Sequence, residues 1–293
     1  MPPNKSNTTE SKITQPATNQ DDDALFIVPP PPEPEPLSRG KLALIISLTV
    51  FGILIIIGAV LFSLSFAAKQ AAYNYDKTTS FNLSKLDNPL KDLRPSAVLN
   101  RRDVSSPLTT IKKIQQTETS LSEVLLGASL SPDYNQSKKL TNQLNQHYQS
   151  LLEFTNDMEG LVTFSDTVQD VITQEAKLTK LTNVSSSIAL RSAAGSLSED
   201  AKRVQNVTAP SELAAIKEQL AVAMNKKSKA YQAWAIAVEK HKSVGIKTAK
   251  QQISQANKAI DLAASDAEYA KVFESRYSTL QKQQLVLKRQ AAL

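Results

Sequence analysis

The chain has 293 residues, a formal net charge of +6 and no cysteine. The lack of cysteine excludes disulfides, zinc–thiolate sites, iron–sulfur clusters and cysteine nucleophiles. The positive charge is concentrated in residues 69–293, which carry a net +8 and favour anionic partners such as an acidic polymer, anionic lipid or nucleic acid.

Residues 1–40 form an acidic, proline-rich tail. Residues 1–24 contain few apolar side chains, so burial cannot offset the loss of chain entropy and we expect disorder. The prolines of residues 29–36 predict a stiff polyproline II segment. An apolar cluster lies between residues 1–24 and the proline segment: Leu25, Phe26, Ile27 and Val28. We interpret it as a docking segment for a protein partner. The alternative is an incidental cluster beside a rigid spacer.

Residues 41–68 are predicted to form one transmembrane helix. From Leu42 to Ala68 the chain has twenty-seven residues without a charge, and seventeen of them are Leu, Ile, Val or Phe. As a helix this run would be roughly 40 Å long, more than the ~30 Å hydrocarbon core of a bilayer. An apolar run of this length is not typical of a cleaved signal peptide, so we expect the helix to remain in the bilayer as an anchor.

Two features of the anchor bear on its partners and its orientation. Ala59, Ser63 and Ala67 recur at every fourth residue, a stripe that either lets a second helix approach closely or is incidental. Arg39 and Lys41 lie directly before the apolar run. Basic residues at that end favour a cytoplasmic N-terminus and an extracytoplasmic C-terminal part.

Residues 69–106 are predicted to be a stalk or linker. Prolines follow Asn88, Arg94 and Ser106, and a residue that precedes proline avoids the helical region. We therefore expect at most one short helix in this segment.

Residues 107–293 are predicted to form an elongated antiparallel helical bundle, so the fold class is all-α. The longest amphipathic pattern begins near Pro132 and continues for some forty residues, with Gly160 expected to bend or interrupt the helix. Its apolar residues recur at spacings of three, four and seven: Leu140, Leu144, Tyr148, Leu151, Met158, Leu161, Val168, Val171, Leu178 and Leu181.

A helical hairpin is predicted at the C-terminal end of the bundle. One helix begins near Thr208, and the last helix extends from Ile246 to Leu280. A tight turn at Val244 and Gly245 joins them. Long helices with short turns lead us to expect no large pocket.

Three lysines flank this turn and form a candidate anion-binding patch. An anionic polymer or lipid would be its partner, and an ordinary solvated surface is the alternative. The residues are Lys240, Lys247 and Lys250.

No pattern typical of catalysis is present. The chain has two histidines, His147 and His241, which lack the spacing of metal-binding motifs, and we expect each to border a helix surface. The glycines are too scattered for a phosphate-binding loop, and no serine lies in a GxSxG or SxxK motif. We therefore predict that the protein is not an enzyme and holds no cofactor or metal.

Together these features predict a membrane-anchored, non-enzymatic scaffold or surface interaction protein with an extracytoplasmic helical bundle. A receptor or sensor that recruits a cytoplasmic partner through its tail is one alternative. The other alternative has the inverted topology, in which a basic cytoplasmic bundle binds anionic lipid or nucleic acid.

Overall fold

The computed structural model describes residues 38–181 and 186–292. Every regular element in these two ranges is a helix and they contain no strand, which confirms the all-α fold class. The predicted docking segment, residues 25–28, lies outside them. The α-helices are α1 (Arg39–Lys85), α2 (Asp87–Asp92), α3 (Pro95–Arg101), α4 (Ser105–Gln116), α5 (Gly127–Leu130), α6 (Pro132–Leu181), α7 (Ser187–Asn206), α8 (Ala214–Glu239), α9 (Ser243–Ala263) and α10 (Asp266–Gln290), and a short 3₁₀ helix (Ser211–Leu213) precedes α8.

Helix α1 contains the apolar run predicted to span a membrane. The chain divides within this helix into two compact units, residues 1–55 and 56–293. In the first unit Phe51 is 63% exposed. In the second unit Phe62 is 75% exposed, and the buried part of the helix begins at Ala68. Helix α1 is long and apolar enough to cross a membrane, and none of its most apolar window is buried.

Residues 69–106 differ from the predicted stalk, because they are almost entirely helical. Helix α1 continues to Lys85, and α2 and α3 follow it. Pro95 is the first residue of α3 and Pro89 the third of α2, positions at which a helix does not need the N–H that proline lacks. The apolar residues of this segment belong to the main core, which therefore begins before residue 107: Leu83, Leu86, Leu90, Leu93, Val98 and Leu99.

The main core lies along α6 and α10. Helix α6 is 50 residues long, and the apolar face predicted from its periodicity is buried at every position from Leu140 to Val171. Aromatic side chains join the two helices: the Phe154 and Tyr277 rings stack with centroids 6.3 Å apart, and Phe164 meets Tyr269 edge-on at 5.2 Å. Such pairs contribute about 0.5–1.5 kcal/mol each beyond their burial.

Gly160 was predicted to bend or interrupt the helix, but α6 continues through this residue without a break. A Cβ atom at this position would lie 2.9 Å from Cδ of Pro210, in the segment that leads into α8. The glycine therefore permits a close approach between two segments, and the helix passes through it unbroken.

The C-terminal helices differ from the predicted pair. Helices α8 and α9 form the hairpin, but the helix expected to reach residue 280 ends at Ala263. Ser265 is extended, and Asp266 and Glu268 follow it in the first turn of α10. A short polar residue before an acidic first turn is typical of a helix start, so a new helix begins here. Helix α8 packs on α7 and α9, whereas α10 packs on α6.

Candidate anion-binding surface

The α8–α9 hairpin, residues 214–263, is strongly basic, and we call it the basic hairpin. It contains nine lysines and three acidic residues, a net charge of +6. This equals the net charge of the whole chain, so the remaining 243 residues sum to zero. The positive charge of the protein is thus concentrated in two adjacent helices and their turn.

Most of the positive charge of the basic hairpin is not neutralised. Lys227 is buried in an ion pair with Glu175, and Nζ of Lys217 donates a hydrogen bond to the carbonyl of Val207 at 2.8 Å. Arg191 of α7 neutralises Glu239 and lowers the pKa of that carboxyl. The other seven lysines are exposed and form no ion pair with any described residue: Lys226, Lys229, Lys240, Lys242, Lys247, Lys250 and Lys258.

The three lysines of the predicted patch lie at the turn end of the basic hairpin, and all three are exposed. Lys240 directly follows the last residue of α8. Lys247 and Lys250 lie near the start of α9, three residues apart and therefore on one face of the helix. The Lys250 Nζ atom lies 4.8 Å from the centre of the Trp234 ring, a cation–π contact that orients this amine.

The turn itself is tight and fixed by backbone contacts. His241 has a φ of 49°, in the left-handed region. The N–H of Lys242 donates to the carbonyl of Ala237 at 2.9 Å, which closes the turn. A Cβ atom on Gly245 would lie 3.0 Å from Cβ of Ala237, so the glycine lets the first turn of α9 pack directly on α8. The exposed lysines on both sides of the turn are thus attached to two helix ends that pack closely on each other.

A groove of about 1050 Å³ lies between α8 and α9, although we expected no large pocket. Val222 and Leu262 line the groove and are 43% and 72% exposed, and Lys226 and Lys229 line it as well. The periodicity of the sequence did not predict this groove. The volume of the groove depends on the distance between the alanine-rich faces of α8 and α9, which a sequence pattern does not specify. Small side chains and amides also line the groove, including Ala223, Ala230, Ala256, Ala259, Gln252 and Gln255.

Helix α7 holds the basic hairpin in place. The Ser228 hydroxyl donates to the carbonyl of Ala194 at 2.6 Å, and Arg191 binds Glu239 through both of its carboxylate oxygens. Ser228 lies near the middle of α8, and Glu239 is its last residue. The two contacts therefore fix the direction in which the turn of the hairpin points relative to α7.

The remaining predicted residues lie on α1, on the turn of the hairpin and in the interior of the bundle. Ala59, Ser63 and Ala67 are all exposed on α1. His241 lies on the exposed turn, but His147 is only 3% exposed and does not border the surface as expected. Among the described residues no group of three or more His, Asp or Glu side chains is arranged to hold a metal ion.

Comparisons with protein-family models, with curated proteins and with solved structures found no match for this chain.

Proposed function

We propose that this is a membrane-anchored, non-enzymatic interaction protein that binds an anionic polymer through its basic hairpin. The observation that carries the proposal is the charge distribution: residues 214–263 hold the entire net charge, and seven exposed lysines have no ion-pair partner among the described residues. A surface of one sign attracts an extended polyanion at several points at once, and the released counterions add to the affinity.

The exposed apolar surface of α1 supports the membrane anchor. Almost all of the large apolar side chains of residues 42–66 are exposed and are not covered by other residues in the described ranges. Such a surface is stable in the hydrocarbon of a bilayer and unfavourable in water. With the N-terminus in the cytoplasm, the basic hairpin would face acidic polymers outside the cell. With the opposite orientation it would face nucleic acid or the anionic inner leaflet.

The first test removes four charges from the turn end of the hairpin. The full-length protein in nanodiscs of neutral lipid is titrated with fluorescent dextran sulfate at several salt concentrations. The variant with Lys240, Lys242, Lys247 and Lys250 changed to Gln should bind at least about tenfold more weakly at low salt and lose affinity less steeply with added salt.

The matched control removes the same charge elsewhere. Lys112, Lys113, Lys138 and Lys139 are exposed lysines outside the basic hairpin. If changing these four to Gln weakens binding as much as the hairpin variant does, binding follows total charge and the proposed site is wrong.

The second test determines the orientation. Intact cells that carry an epitope tag after Leu293 are treated with protease. Digestion of the tag supports the extracytoplasmic bundle, and protection of the tag supports the inverted topology. Deletion of residues 1–37, followed by comparison of co-purified proteins, tests whether the tail docks a partner.

A further inference from the structure

The segment that joins α4 to α6, residues 117–131, runs along α1 towards its apolar run, and we call it the α4–α6 loop. Near its start, the Thr79 hydroxyl of α1 donates to the Glu118 carboxylate at 2.9 Å. Near its end, the Ser65 hydroxyl of α1 donates to the carbonyl of Leu130 at 3.4 Å. The two contacts on α1 are roughly 20 Å apart along the helix axis, and the second lies within the apolar run.

The middle of the α4–α6 loop is held by the first turn of α6. The Tyr134 hydroxyl donates to the carbonyl of Ser122 at 2.8 Å and accepts a hydrogen bond from the N–H of Val124 at 3.2 Å. Val124 packs against the apolar cluster that Tyr134 forms with Ala68 and Ala72 of α1. Hydrogen bonds and packing therefore fix the loop beside α1 at three successive levels.

Two consecutive leucines of this loop are exposed close to the apolar run. Leu125 is 74% exposed and Leu126 is 55% exposed. The N–H of Leu130 donates to the carbonyl of Leu126, so the leucine pair lies about one helical turn from the contact with Ser65. Leu126 also has a φ of 56°, in the left-handed region that a bulky residue rarely adopts.

The leucine pair does not stand alone, because α1 exposes large apolar side chains at the same level. Phe62 and Phe66, each within one turn of Ser65, are 75% and 64% exposed. The loop and the helix together thus present a larger apolar surface than either would alone. Exposed apolar surfaces of this kind are typical of sites that contact a membrane or another protein.

The depth of this surface matches the interface of a bilayer. Ser65 precedes Lys69, the first charged residue after the apolar run, by about 6 Å along the helix, on the hydrocarbon side. Segments that lie in a membrane interface bury their apolar side chains by about 5–10 Å. Residues 124–131 of the loop contain no charged residue that would oppose such burial.

From these observations we infer that Leu125 and Leu126 insert into the bilayer interface beside α1, so that the α4–α6 loop is a second membrane contact. The inference rests on the proposed membrane anchor, because the apolar run determines where the bilayer lies. Continuity with that run selects lipid as the occupant of the leucine surface. Two contacts, unlike a single helix, restrict the rotation of the bundle relative to the membrane.

The lack of cysteine allows a nitroxide label to be placed at one chosen residue. Full-length Leu125→Cys, Phe62→Cys and Val244→Cys are labelled and reconstituted in phosphatidylcholine nanodiscs. Phe62 marks the hydrocarbon, and Val244, 77% exposed at the start of α9, is the matched apolar control. Oxygen concentrates in hydrocarbon and a nickel chelate stays in water. We expect the ratio of oxygen to nickel accessibility at residue 125 to be severalfold higher than at residue 244 and close to that at residue 62.

A second measurement uses the wild-type protein and needs no substitution. Nanodiscs that contain a phospholipid with a diazirine on its acyl chain are irradiated, and the protein is digested with trypsin. The peptide 114–138 should carry lipid adducts at Leu125 or Leu126, whereas the peptide 243–247 should carry none. Circular dichroism checks that the labelled variants keep the helical content of the wild type.

The labels separate a failure of this inference from a failure of the anchor. If residue 62 reports hydrocarbon and residue 125 reports water, the loop does not insert, although the anchor stands. If both report water, the anchor and the inference are both wrong. A label at residue 125 that is shielded from oxygen and nickel alike would mean that a second copy or another protein covers the leucines, and this too would overturn the inference.

Discussion

Lys227 places an amine in the interior of the bundle, where its side chain is 1% exposed. It forms an ion pair with Glu175 of α6, and Asp261 of α9 adds an attractive charge. Desolvation nevertheless lowers the pKa of Lys227 to about 8, from 10.5 for an exposed lysine. A buried pair of this kind contributes little net stability, but it leaves a buried charge if one partner is removed.

The lowered pKa of Lys227 predicts a characteristic dependence of stability on pH. Between pH 8 and 10.5 the unfolded chain holds a proton that the folded chain has released, so the free energy of unfolding rises with pH in this window. Below pH 8 both states are protonated, and the contribution of Lys227 is constant. From pH 7.5 to 9.5 the stability of the wild type should rise by about 2 kcal/mol relative to Lys227→Met. Urea denaturation of the full-length protein in detergent measures this difference, and parallel profiles for the two proteins would contradict it.

Two glycines in helices offer a matched test of packing. A Cβ on Gly160 would lie 2.9 Å from the Pro210 ring, whereas a Cβ on Gly195 of α7 would have no atom within 4 Å. Both substitutions to Ala gain about 1 kcal/mol of helix propensity. We expect Gly195→Ala to raise the melting temperature, and Gly160→Ala to lower it, because the proline ring cannot move aside without displacing the start of α8. Equal shifts in the two variants, measured by thermal denaturation, would show that Pro210 does not restrict this position.

At the scale of helices, periodicity predicted the faces but not the ends. The apolar face of α6 is buried as predicted from Leu140 to Val171, because a pattern sustained over many turns leaves little choice of period. Prolines 89 and 95 indicated chain breaks, but both lie near the start of a short helix, where proline is tolerated. The end of α9 was missed because the Ile and Ala spacing continues past Ser265, and only the cap marks the new helix.

The candidate sites show the same limit of sequence reasoning. Exposed lysines beside a turn were predictable, since charged side chains stay in water wherever the hairpin packs. The burial of His147 and the groove between α8 and α9 were not, because both depend on distances between helices that the sequence pattern does not specify.

Helix α9 should be the least protected of the long helices in the second unit. Its substantial contacts are with α8, whereas α6 contacts α3, α4, α5, α7 and α10. Its buried face consists of Ala249, Ala256, Ala263 and two isoleucines, and so buries little apolar area. Native-state hydrogen exchange should therefore show α9 opening at a lower free energy than α6 and α10.

A single substitution separates this local opening from global unfolding. Ile253→Ala removes one of the two buried isoleucines of α9 and should speed amide exchange in α9 while α6 remains protected. If α6 and α9 exchange at the same free energy in both proteins, the helices unfold as one cooperative unit and the expectation is wrong.

For the molecule as a whole, charge and exposed apolar surface are concentrated in different parts of the sequence. Residues 214–263 carry the net charge. Most of the exposed leucines, isoleucines and phenylalanines lie in residues 42–66, a segment that contains no charged residue. A tethered molecule uses both features, because the anchor confines the basic hairpin near a surface and thereby raises its effective concentration there.

The anchor is tested by changing the free energy of insertion. Ile53 and Ile57 lie in the middle of the apolar run, 51% and 49% exposed. Changing both to Arg costs about 2.5–3.5 kcal/mol at each position near the bilayer centre, enough to cancel most of the several kcal/mol that the apolar residues contribute. We expect the wild type and the control Ile53→Leu/Ile57→Leu to stay in carbonate-washed membranes, and the arginine variant to appear largely in the supernatant. If the wild type itself is released by carbonate, hydrocarbon is not what covers α1, and a protein partner must bury its apolar surface instead.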